Sequence, residues 1–177
     1  MQDIIIIATS KATAADLPAA RLGVRFGRLD LLSQLALLAV ESLSVHFESM
    51  PRDRIGICLA APSGSLSTDF EYWKGRDSVG GPSPTLFAYT LPSAAIGEIA
   101  IRHRITGPNL CFVGGAELAL AEATDLVRRS EVEGCLCVTC NSLSEGASEL
   151  IHGVPAAEAC AHFLTRKGTA YGVLYPS

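Results

Sequence analysis

Apolar and polar positions along the chain alternate between two periods. Ile4–Ala8 is a short continuous β-branched and apolar run, the pattern of a strand buried on both faces. After Asp30, a residue suited to cap a helix, Leu32, Leu35, Ala36, Ala39 and Leu43 recur at helical spacing. That spacing predicts a helix to about Glu48, stopped by Pro51. Ile55-Gly-Ile-Cys-Leu-Ala60 predicts a second buried strand. Ser93 predicts the cap of a helix over Ala94–His103, and Arg102, His103 and Arg104 complement the negative end of its dipole. Thr106-Gly-Pro-Asn109 reads as a turn and Leu110–Val113 as a short strand broken by Gly114-Gly115. A helix from Ala116 to about Arg129 follows, with Glu117 in its first turn and Arg128 and Arg129 in its last. Then come a buried strand over 134–140, a polar loop through Gly146, and a hairpin of Ala156–Thr165 and Ala170–Tyr175 around Arg166-Lys-Gly168.

Between Pro62 and Pro92 the periodicity lapses. Ser, Gly, Pro and Thr dominate, with Phe70, Tyr72, Trp73, Phe87 and Tyr89 spaced among them. A loop of this length is a functional or interface segment more often than a plain connector, and its aromatics need a surface to pack on. Strands alternating with helices predict an α/β fold: a mostly parallel sheet with helices on both faces. Residues 1–177 read as a single domain without an internal repeat.

Composition narrows the picture. A hydrophobic content of 49% supports a packed core. A net charge of -4 removes the basic footprint that nucleic acid requires. The uncharged run Leu31–Val40 is far short of the roughly 20 residues of a membrane span. Met1-Gln2-Asp3 has no basic leader character, so a cytoplasmic protein is expected. Cys137-Val-Thr-Cys140 has C-x-x-C spacing, but it lies within an apolar strand and lacks a second ligand pair. No metal or cofactor is expected, and Cys135, Cys137 and Cys140 read as small core residues. There is no G-x-S-x-G elbow, P-loop or G-x-G-x-x-G. The prolines of Gly80-Gly-Pro-Ser-Pro84 remove the N–H donors that a phosphate would want.

The block Ser83-Pro-Thr-Leu-Phe-Ala-Tyr-Thr-Leu-Pro-Ser-Ala-Ala-Ile-Gly-Glu-Ile-Ala100, with Ile105-Thr-Gly-Pro108, resembles β-ketoacyl synthases and their chain-length-factor-like relatives. Arg54-Ile-Gly-Ile-Cys-Leu-Ala-Ala-Pro-Ser-Gly64 resembles the strand and glycine turn after the first helix of that family. The resemblance implies one amino-terminal lobe of a thiolase-like fold, its sheet five-stranded. In active members a nucleophilic cysteine sits at the elbow between strand and helix, where a helix N-terminus lowers the thiol pKa and N–H groups hold an oxyanion. Asn109-Leu-Cys-Phe-Val-Gly-Gly-Ala-Glu117 stands there in this chain, and the elbow positions Gly114, Gly115 and Ala116 carry no nucleophile. Cys111 lies two residues before the turn. The family's two catalytic histidines come from a carboxyl-terminal lobe, which is expected to begin where these 177 residues stop. His46, His103, His152 and His162 match none of the family's motif contexts.

Three readings follow from the resemblance. The first is a non-catalytic ketosynthase-like protein of fatty acid or polyketide biosynthesis, a homodimer or a heteromer with a complete ketosynthase. Its interface is expected at Asn109, Leu110, Cys111, Phe112 and Val113, because the strand before the elbow pairs across the family's two-fold. The second is an acyl-carrier or acyl-group binding module using Arg21, Arg25 and Arg28, whose charge attracts an acidic carrier protein. The third is a diverged acyltransferase that uses Cys111 or shares a site with a partner.

Overall fold

A computed structural model of the chain describes residues 3–77, 79–149 and 157–168. Five strands form one sheet: β1 Ile4–Thr13, β2 Ile55–Ala60, β3 Asn109–Phe112, β4 Gly134–Ser142 and β5 Ala157–Arg166, in the spatial order β1-β5-β4-β2-β3. The β2–β3 and β2–β4 ladders are parallel, and β5 runs antiparallel to both of its neighbours, β1 and β4. Four strands therefore share one direction and β5 opposes them.

The helices are α1 Leu31–Glu41, α2 Leu66–Lys74, α3 Pro84–Phe87, α4 Ser93–His103, α5 Ala116–Arg128 and α6 Glu145–Ser148. Period-two alternation divides the core between the two faces of the sheet. Ile57, Leu59, Leu136, Val138, Ala161 and Phe163 pack under α1 and α4, together with Leu32, Leu35, Ala36, Ile96 and Ile99. Cys58, Ala60, Cys135, Cys137 and Leu164 pack instead against Ala119, Ala123, Leu126 and Val127 of α5. Helices thus cover both faces, as the sequence predicts.

Several local expectations need correction. Ile4–Ala8 is not a strand buried on both faces: it opens β1, an edge strand paired with β5, and Ile5, Ile6 and Ile7 are 38%, 47% and 43% exposed. Continuous apolar runs suit central strands, but here the register shifts between Ile6 and Ala8 at a bulge. Asp30 does cap α1, its side chain accepting from the Ser33 N–H at 3.1 Å. The helix ends at Glu41 rather than near Glu48, and a single 3-10 turn, Ser44–His46, follows. Leu43, Phe47 and Met50 are buried there, so the apolar spacing reflects packing beyond the helix.

The segment 62–92 is not without structure. It holds α2 and the short α3, capped by the Ser83 hydroxyl accepting from Leu86 N–H. Within α2 only Thr68 is buried, so no apolar stripe marks that helix in the sequence. Ser93 is the first residue of α4, with Pro92 at the cap position. The polar loop through Gly146 contains α6, β4 extends to Ser142, and β5 begins at Ala157. The second arm of the expected hairpin, Ala170–Tyr175, lies outside the described residues, as does His152.

Candidate functional site

The carboxyl ends of the parallel strands β2, β3 and β4 converge on the elbow, the end at which open α/β sheets place their ligands. Strand β3 is held to β2 in the register Ile57↔Asn109 to Ala60↔Phe112. The Ile57 N–H donates to the Pro108 carbonyl and the Ala61 N–H to the Phe112 carbonyl, both at 2.9 Å. Gly107 makes this start possible. A Cβ there would run into the carbonyl oxygen of Ile55, so only glycine lets the turn approach β2 so closely. Gly64, at φ 57, lies in the left-handed region and turns the chain after β2 beside the Val113 side chain.

A buried polar frame that the sequence pattern does not single out holds this turn. The hydroxyl and backbone N–H of Ser63 donate to Asn141 Oδ1 at the end of β4. Ser67 Oγ donates to the Ser142 carbonyl at 2.9 Å and accepts from the Ser144 N–H at 2.8 Å. Thr68 Oγ1 donates to Asp30 Oδ2 at 3.1 Å, joining α2 to the cap of α1. Buried hydroxyls need partners, and these tie the loop after β2 to the end of β4. Pro62-Ser-Gly-Ser65 reads from sequence only as a turn with hydroxyls; the cross-strand partner Asn141 is 78 residues away.

At the elbow itself, Gly115 is the N-cap of α5, with φ -72 and ψ 166 and no side-chain cap. Ala116 opens the helix and Glu117 occupies its first turn. A Cβ on Gly114 would meet the Leu118 side chain, and one on Gly115 would meet the Glu117 carboxylate. The two glycines are therefore closely covered by the helix they introduce.

Cys111 is half-buried and its side chain packs toward the α1 side of the sheet, away from the α5 N-terminus. Burial pushes its thiol pKa up, the opposite of an activated nucleophile. Cys137 and Cys140 belong to the cores on opposite faces of β4, so the C-x-x-C pair does not converge. Burial raises Cys137 to about 12 and also raises Cys140.

Strand β3 lies at the end of the sheet order and, among the described residues, is paired through β2 alone. Asn109 is exposed, Leu110, Cys111 and Phe112 are half-buried, and Val113 is 69% exposed. Beside it α5 exposes Leu118 and Leu120. The three sequence-selected arginines do not form one free patch. Arg25 is held by Glu98 through bonds of 3.0 and 3.1 Å, Arg21 donates to the Pro18 and Ala20 carbonyls, and Arg28 is exposed. Among the described residues no helix is long and apolar enough to cross a membrane.

No protein-family model and no curated protein matches this sequence. Solved structures match in fold. An ishigamide ketosynthase/chain length factor superposes with a TM-score of 0.71 and 17% identity over 95% of this chain and 63% of that chain. The ketosynthase ApeO in complex with its chain length factor ApeC, from Xenorhabdus doucetiae, gives a TM-score of 0.71 and 18% identity over 94% of this chain and 80% of the matched chain. A type II polyketide ketosynthase assembly with an acyl-carrier protein, AntDE:AntF, gives 0.79 and 14% over 94% and 63%. The chain spans less than two thirds of the first and third of these, and four fifths of the second. The fold is thiolase-like α/β, that of ketosynthases and chain length factors.

Proposed function

We propose that this chain is a ketosynthase-like subunit that acts by association, in the manner of a chain length factor, within fatty acid or polyketide-type biosynthesis. The observation that carries this reading is an open, half-apolar edge strand, β3, running into an elbow without a nucleophile. An edge strand presents unpaired N–H and C=O groups, a template for pairing with another chain. Residues 109–113 are the pairing segment, with Leu118 of α5 extending the apolar surface beside them. The partner is a second copy or a complete ketosynthase; in the second case the partner's elbow would supply the thiol that Gly114, Gly115 and Ala116 lack. The similarity to ketosynthase and chain-length-factor structures supports this reading, and so does the raised pKa of Cys111.

Sedimentation velocity at micromolar concentration tests it, with the chain alone and co-expressed with the ketosynthase encoded nearest to it. A dimer or a stable heteromer is expected. A monomer under both conditions overturns the proposal.

Carrier-protein docking through Arg21, Arg25 and Arg28 has weaker support, because Glu98 already offsets the Arg25 charge.

A further inference from the structure

We propose that Cys160 is an acyl-accepting thiol that takes an acyl group from a thioester, with His162 as its base and Thr9 as the residue that orients His162. The choice of a thioester rests on the ketosynthase-like reading above; the geometry does not. Cys160 and His162 are two positions apart on β5 and so share one face of the sheet. Ala159, Ala161 and Phe163 alternate with them into the α1-side core. Cys160 Sγ lies 3.6 Å from His162 Nε2, within reach of an S–H···N bond. Across the antiparallel ladder Thr9 is in register with His162, and its Oγ1 is 2.8 Å from Nδ1. With Nδ1–H donating to Thr9 Oγ1, the Nε2 lone pair faces the sulfur. Nucleophile, base and orienting group are then in line.

Among the described residues the face around this trio is open. Thr9, Lys11, Thr13 and Glu158 are exposed, while Cys160 and His162 are half-buried. Of the six cysteines, Cys58, Cys135, Cys137 and Cys140 are buried, leaving Cys111 and Cys160 within reach of reagents. Lys11 is in register with Cys160 and puts a positive charge beside a developing thiolate. Burial nonetheless pushes the Cys160 thiol up, Lys11 pulling it back and Glu158 adding to the rise. Attack therefore needs a base at the sulfur.

His162 Nε2 takes the Sγ proton as Sγ attacks the thioester carbonyl carbon. The new C–Sγ bond forms, the original C–S bond breaks, and the leaving thiolate recovers the proton from the imidazolium. Strand β5 is paired on both sides, so its N–H groups are committed to the β1 and β4 ladders and supply no oxyanion hole. The site is accordingly a stoichiometric acyl acceptor without rapid turnover.

Incubation of the full chain with an N-acetylcysteamine thioester, followed by peptide mass mapping, tests this. One acyl group per chain is expected, on Cys160, with an equal amount of thiol released and Cys111 unmodified over the same time. His162→Gln is expected to slow acylation about a hundredfold. Thr9→Val is expected to slow it and to shift the pH–rate midpoint, and Thr9→Ser to restore both. Equal acylation of Cys111 and Cys160 in the unaltered chain overturns the proposal, and that comparison needs no variant to fold. An unchanged rate at Cys160 in folded His162→Gln overturns it as well. A partner complex without acylation removes this site and leaves the association reading intact; acylation without any complex does the reverse.

Discussion

A single hydrogen atom at Gly107 decides how β3 is placed. Its Cα lies so close to the Ile55 carbonyl that a methyl group requires the backbone of β2 or the turn to move. Gly107→Ala is expected to destabilise the fold by about 2 kcal/mol, the usual scale of overpacking a tight contact. Urea denaturation followed by circular dichroism measures it; a midpoint within error of the unaltered chain contradicts the close-approach argument. Cys111, four residues on, is expected to tolerate replacement. Its thiol is held protonated by burial, so Cys111→Ala should leave any acyl transfer by the chain unchanged. A loss of acyl transfer in that variant, with the fold intact, would restore Cys111 as a nucleophile.

Among the elements, β3 combines a fixed inner edge with an open outer one. Asn109, its first residue, and Val113, just past its last, are both exposed, so charge can be added there without disturbing the core. If β3 pairs antiparallel with its copy across a two-fold, the residues at its two ends face each other. Val113→Lys is then expected to convert a dimer to monomer in sedimentation velocity while leaving the circular dichroism spectrum of the folded chain unchanged. A dimer that survives the substitution places the interface elsewhere.

The short strand itself was legible in the sequence because a glycine-proline turn precedes it and a glycine pair ends it. The helix α5 was legible because both its ends carry charges that suit the dipole. By contrast, α2 is nearly absent from the apolar pattern, since its one buried residue is a threonine. The Ser63–Asn141 bond and the Cys160–His162–Thr9 trio were illegible for a different reason. The first ties the turn after β2 to the end of β4 and the second joins β1 to β5, and only the sheet order β1-β5-β4 brings Thr9 beside a residue 153 positions away. A pattern read along the chain carries no information about which strands become neighbours.

Across the whole molecule, α1 and α4 are held together over one face of the sheet by groups whose protonation is expected to lower stability in acid. Arg102 pairs with Glu41 through bonds of 2.6 and 2.8 Å, and His103, at the end of α4, packs edge-on against Phe47 with ring centroids 5.3 Å apart. Burial pushes the His103 imidazole pKa down, Glu41 opposing and Arg102 and Arg52 adding to the fall. The unfolded chain therefore takes up this proton more readily than the folded one. Stability is full above the ordinary imidazole value of about 6.5 and is lost as pH falls through it. Glu41 has its pKa lowered by the Arg102 hydrogen bond, so its contribution is present above the ordinary carboxylate value of about 4.3 and disappears as pH falls below it.

Acid destabilisation is thus expected in two windows, histidine first and carboxylate second. Thermal melts in steps from pH 8 to pH 4 should show His103→Phe, which keeps the ring against Phe47, removing part of the slope that sets in as pH falls below about 6.5. Arg102→Leu should lower stability at neutral pH by about 1 kcal/mol, the pair being one-third exposed, and flatten the slope below about pH 4.3. If His103→Phe retains the full slope of the unaltered chain near pH 6, the buried imidazole is not the group that titrates on unfolding, and the coupling of α4 to the sheet is indifferent to its charge.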